Sequence, residues 1–129
     1  SLTDQAFDCP ARMLSTYANA SRSTPVWQYL FKPSTLPVVH HGDEVPFVFQ
    51  SSYLKGKENI ALGQAMAEMW YTFAATGTPR PPKGVSSWPQ AKGGSYLSLD
   101  VGEGGIRVAT AFRRECGAFF DGWLARELT

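Results

Sequence analysis

The chain has 129 residues, 43% of them hydrophobic and 13% aromatic, which supplies one sizeable core and excludes a disordered chain. Twelve basic residues against eleven acidic ones leave a net charge of +1, so there is no electrostatic footprint for nucleic acid or an anionic membrane. No run approaches the roughly 18 apolar residues of a membrane span, and no charged-then-apolar signal segment opens the chain. A start at Ser1 rather than Met fits a processed chain or a fragment, and a removed signal peptide would leave the same trace.

In chain order, Ala6, Pro10, Met13, Leu14 and Tyr17 recur at helical spacing. Proline is tolerated only in a first helical turn, so a helix is expected from Pro10 to about Ala20. Asn19-Ala20-Ser21 follows as a glycosylation sequon, which makes Asn19 a candidate, although such triplets also arise by chance. Val26 to Phe31, β-branched and aromatic between Pro25 and Pro33, reads as a strand buried on both faces. Pro33 to Pro46 reads as a loop that ends in the stretch from Val38 to Phe49, with His40-His41-Gly42-Asp43-Glu44 ahead of an apolar run expected to pack into the core.

The longest helix is expected from Glu58 to Ala75, with Leu62, Met66, Met69, Trp70 and Phe73 on its inner face and Gly77-Thr78-Pro79 as its stop. Pro79 to Gly94 reads as a surface loop anchored at Trp88-Pro89. Tyr96 to Leu99 and Ile106 to Ala109 form a predicted hairpin across a Gly-rich turn. A last helix is expected from about Phe112, with Cys116, Phe119, Phe120, Trp123 and Leu124 on one stripe. These elements make an incomplete architecture, because a doubly buried strand needs neighbours that one hairpin cannot supply.

An imidazole on the rim of an apolar body is where general-base chemistry is built, since it takes and returns a proton near neutral pH. A metal site at His40-His41 is not expected: adjacent side chains diverge, and no Cys or His lies at ligand spacing. Cys9 and Cys116 are the only cysteines and sit on apolar helices about a hundred residues apart. A bridge closing so long a loop would stabilise strongly, while two buried free thiols are the alternative.

Phe7-Asp8-Cys9-Pro10, Trp27 to Phe31, His41 to Phe49, Ala61-Leu62-Gly63 through Trp70 to Pro79, Trp88-Pro89 and Cys116 follow one another in an order that resembles the C-terminal quarter of type-B carboxylesterases. These are the cholinesterase and fungal lipase relatives of the α/β-hydrolase fold, and the resemblance runs over about residues 7 to 123. It implies an α/β fold class in which residues 1–129 are the C-terminal segment of a single domain, terminal sheet strands plus packing helices, incomplete without the N-terminal part.

It implies, too, a serine esterase working through an acyl-enzyme, with His41 as catalytic His, Glu44 supporting the site from behind, Cys9 and Cys116 bridged, no cofactor and no metal. His40 falls at a variable family position and reads as solvated or supporting, and Asp43 as a solvated loop carboxylate. The Gly-x-Ser-x-Gly elbow, the acid and the oxyanion loop are absent from this sequence. They are expected on a companion N-terminal chain of the same enzyme, in a secreted setting, acting on a small-molecule or lipid ester. A catalytically silent binding or adhesion module is the alternative, since this fold serves that purpose too.

Overall fold

In the computed structural model of the protein, residues 7–21, 24–101, 105–112 and 116–117 are described. The elements are α1 (Cys9–Ser21), β1 (Tyr29–Phe31), α2 (Val45–Val48), α3 (Lys57–Thr76), β2 (Tyr96–Leu99) and β3 (Ile106–Ala109), with a 3-10 turn at Lys92–Gly94. The chain divides into two compact units. One is drawn from the described parts of 1–28, 89–96 and 109–129, the other from Tyr29–Trp88 and Leu97–Val108.

The second unit holds a mixed three-stranded sheet of order β1-β2-β3. β1 runs parallel to β2, with Tyr29 opposite Leu97 and Phe31 opposite Leu99, and the Lys32 N–H continues the ladder to the Leu99 carbonyl at 3.0 Å. Three successive β2 residues, Leu97, Ser98 and Leu99, are buried. Because side chains alternate between faces, β2 is covered on both sides. The sequence assigned that character to Val26–Phe31 instead. Only Tyr29–Phe31 of that run enters the sheet, and Tyr29 is 37% exposed. The reason is positional: β2 has a strand on each side, while β1 pairs with β2 alone among the described residues and Val26 turns its carbonyl to the Ala91 N–H at 2.7 Å.

α3 matches its expected span within one residue at each end, and the Gly77 N–H closes it on the Phe73 carbonyl at 2.8 Å. Leu62, Met66 and Met69 are buried with Phe47, Leu97, Leu99 and Val101 in one cluster. Phe73 lies on the same stripe but is half exposed, because the buried part of the helix ends at Met69 and Thr72. Trp88 anchors its loop as expected, its ring centroid 6.3 Å from that of Trp70.

The apolar run after Glu44 departs from expectation more sharply. It forms the helical turn α2, so that Phe47 is fully buried at 3% exposure, Val48 packs half-buried against the same core, and Phe49 is 77% exposed. A helical turn puts one residue in three or four on a given side, whereas a strand would have buried alternate positions.

In the first unit, Cys9 and Cys116 form a disulfide with their Cα atoms 5.4 Å apart. Arg12 Nη1 donates to the Phe112 carbonyl at 2.8 Å, and the Phe112 N–H donates to Gly94 at 3.0 Å. α1 starts at Cys9 with Pro10 in its first turn, where the missing N–H costs nothing. Its expected apolar stripe is only partly covered: Pro10 and Met13 are half-buried, Leu14 and Tyr17 are exposed, and among the described side chains of α1 the fully buried ones are Cys9 and Ser15. Ser15 is accommodated because its hydroxyl donates to the Arg12 carbonyl at 2.8 Å. Apart from Phe112, Cys116 and Gly117, the helix expected from about Phe112 and the turn at 102–104 lie outside the described residues.

Asp100 ties β2 to the turn that follows β1. Its Oδ1 accepts the Ser34 N–H at 2.6 Å and the Val101 N–H at 2.7 Å. Desolvation pushes the carboxyl up, but these N–H groups, the Ser34 side chain and the Arg107 guanidinium outweigh it and hold the pKa below 3.8. A carboxyl depressed in the folded state contributes stability above its unfolded pKa, and that contribution fades as pH falls through the folded value. The melting temperature of the protein is therefore expected to drop as pH falls below about 3.8, with a gap between wild type and Asp100→Ala that narrows in the same window. A gap independent of pH would exclude the charged form as the source.

The disulfide closes a separation of 107 residues. On the chain-entropy description, its reduction or Cys9→Ser is expected to cost about 4–5 kcal/mol, read from denaturant unfolding with and without reductant.

Candidate active site

His41 sits in a four-residue turn, His40 to Asp43, closed by a hydrogen bond from the Asp43 N–H to the His40 carbonyl at 3.3 Å. Gly42 takes φ +87° at the third position of that turn. A type II turn demands positive φ there, which glycine adopts without a Cβ clash. The His-Gly pair is thus local conformational chemistry: glycine lets the chain reverse directly after the imidazole. The side chain of His41 is exposed.

Asp43 is more than a solvated carboxylate. Its Oδ2 accepts the His40 N–H at 2.7 Å and lies 3.5 Å from His40 Nδ1. The correction comes from the turn itself, which brings residue i+3 back over residue i. The His40 side chain is 74% exposed, in keeping with its reading as a solvated neighbour. Glu44 precedes α2 in helical conformation and is half buried. Its carboxylate lies near the Tyr29 hydroxyl, whose pKa is raised by burial first and by the Glu44 charge second. Tyr29 meets the edge of Trp70 at a centroid distance of 4.9 Å.

One turn therefore gathers His40, His41, Asp43 and Glu44, with Tyr29 brought to Glu44 by the fold. Tyr29 was not legible as a site residue, because fifteen positions separate it from Glu44. Asp43 was open to recognition by its i+3 spacing across a glycine. Asn19 and the Cys9–Cys116 bridge belong to the other unit. There Asn19 Nδ2 donates to the Ala91 carbonyl at 3.4 Å, and its side chain lines a cavity of about 460 Å³ with Arg12, Ser15, Thr16, Gln28 and Lys92. Among the described residues no three His, Cys, Asp or Glu side chains converge as metal ligands. No described helix is long and apolar enough to cross a membrane.

The downstream arm of the His41 turn is fixed by packing. α2 lies against α3, and at Gly63 an added Cβ would fall 2.9 Å from Leu54 Cδ2 and 3.0 Å from the Phe47 carbonyl oxygen. Alanine in place of a helical glycine gains about 1 kcal/mol of helix propensity. The 2.9 Å contact is with the flexible end of Leu54, so the cost falls on the Phe47 carbonyl, which must give by a few tenths of an ångström and, as close-packed main chain, yields less readily than a side chain. Gly63→Ala is expected to give a net loss of about 1–3 kcal/mol in denaturant unfolding and faster amide exchange over residues 40–48. An unchanged midpoint and unchanged exchange would show that this approach does not hold the turn.

Comparison with known proteins converges on one group. The profile of the carboxylesterase family matches residues 1–119. Carboxylesterase 4A of Bos taurus is 35% identical over 108 residues, covering 74% of this chain and 19% of the relative. Carboxylesterase 5A of Homo sapiens is 33% identical over 119 residues, covering 78% and 20%. Cocaine esterase of Homo sapiens is 29% identical over 100 residues, covering 68% and 18%. The chain thus spans about a fifth of the length of these relatives.

Proposed function

The chain belongs to the carboxylesterase family, and from that premise we propose that it is the part of a carboxylic ester hydrolase that supplies the histidine, His41, of a Ser-His-acid triad. Its mixed three-stranded sheet with helices is part of an α/β-hydrolase fold. The observation that carries the proposal is an exposed imidazole on a glycine-reversed turn whose next residues run into the core.

In this reading the nucleophilic serine, in a Gly-x-Ser-x-Gly elbow, the acid and the oxyanion hole come from a companion N-terminal chain of the same enzyme. His41 takes the serine proton as the oxygen attacks the ester carbonyl, and the oxyanion is held by N–H donors. The imidazolium returns that proton to the departing alcohol, leaving an acyl-enzyme. His41 then deprotonates water, which releases the acid and restores the serine. Glu44 supports the turn from behind, beside Tyr29. Exposed Phe49, Tyr53 and Tyr71 support a companion, since large apolar side chains in the open are what a separated part of a larger core presents. The disulfide supports an oxidising compartment, hence the secretory pathway, and Asn19 is the glycosylation site proposed there.

The test is made in the esterase that carries this segment. A fluorophosphonate, which loses fluoride to an activated serine, is expected to leave one adduct on the companion, seen by native intact mass. His41→Gln is expected to lower kcat by several orders of magnitude and His40→Ala far less. Comparable losses would transfer the role to His40, and a companion without an elbow serine would make the protein a silent relative.

A further inference from the structure

The two arms of the His41 turn are held by unlike means. Downstream, the Val45 N–H donates to Gly42 at 3.0 Å, Phe47 is buried, and α2 rests on α3. Upstream, Leu36 packs against the core, but Val38 is 61% exposed and Val39 only half buried, so apolar burial within this segment does little to hold the last residues before His40. What joins the loosely packed arm to the fixed one is Asp43. Its N–H donates to the His40 carbonyl at 3.3 Å, and its carboxylate accepts the His40 N–H at 2.7 Å. The two bonds are reciprocal and span the two residues between them, His41 and Gly42, and the second is charge-assisted and short.

We infer that Asp43 is a positioning residue for His41: its carboxylate clamps the His40 backbone to the α2 side of the turn and so fixes where the imidazole starts from. The inference rests on the triad reading of His41. The His40 side chain contributes less, because it is largely solvated and its 3.5 Å approach to Oδ2 is an ion pair only when the imidazole is protonated. The carboxylate's bond is to main chain, which no substitution at residue 40 other than proline removes. A displaced general base loses rate rather than substrate affinity, since the geometry of proton transfer is demanded only in the transition state.

The experiment uses the complete esterase with an activated ester, comparing wild type, His41→Gln, Asp43→Ala, Asp43→Asn and His40→Ala, with melting temperatures measured in parallel and exchange of the His40 amide followed by mass spectrometry. Asp43→Ala is expected to lower kcat roughly ten- to hundredfold with KM and melting temperature little changed, and to accelerate exchange at His40. Asp43→Asn, whose amide oxygen still accepts the His40 N–H, is expected to recover most of both, and His40→Ala to cost at most a few-fold. Full kcat in Asp43→Ala, or an Asp43→Asn as impaired as Asp43→Ala, overturns the positioning role while an inactive His41→Gln leaves the triad reading intact. Turnover that survives in His41→Gln overturns the triad reading, and the positioning role with it.

Discussion

The insertion of Phe47 is the contact on which the candidate site depends. Its ring meets Phe31 of β1 edge to face at a centroid distance of 5.0 Å, and its main-chain oxygen faces α3 where Gly63 removes the side chain that would keep the two apart. A sheet residue, a helical turn and a long helix are thereby locked through one phenylalanine. Close-packed interiors transmit displacement rather than absorb it. The three residues between Phe47 and Asp43 leave the turn little freedom on that side, so the rigidity of the core is carried to within a few bonds of His41.

Carboxylates finish what packing begins. Asp43 and Asp100 perform the same operation in two places: each uses a side-chain oxygen to capture a main-chain N–H in an irregular segment. Such N–H groups lie outside any ladder and must be satisfied by side chains or water. In the segment after β1 this pins the chain to the end of β2, and in the segment before α2 it pins the turn that bears the histidine. Glu44 differs. Its carboxylate lies by the Tyr29 phenol, whose ionisation is opposed first by burial and then by the Glu44 charge.

Apolar side chains are divided between a closed cluster and an open surface. Met66, Met69, Leu97 and Leu99 are sealed, while Phe49, Tyr53 and Tyr71 stand in solvent. Together with the fifth of the relatives' length that the chain spans, that division is what a segment of one hydrolase domain would present. The segment holds a packed centre of its own around α3, and its outer aromatic residues are where the proposed companion would pack.

Local rules in the sequence determined much of this. The 3.6-residue spacing of Leu62, Met66 and Met69 and the stop at Gly77 specify α3, because a helix's period and its terminal turn are set by neighbours in the chain. The blocks around His41 carry the family, and the proline at position 10 sets the start of α1. The pairing of Cys9 with Cys116 followed from there being two cysteines and a family pattern, although the free-thiol alternative ended only with the folded geometry. Tertiary structure decided what depends on residues distant in the chain. It made β2 rather than β1 the doubly covered strand, because coverage is a count of neighbours that no strand carries in its own composition. It turned Val45–Val48 into a helix whose one fully buried residue is Phe47, its ring against Phe31 and its main chain against Gly63, all distant in the chain. It also brought Tyr29 to Glu44, a meeting of two side chains whose separation along the sequence leaves no periodic trace.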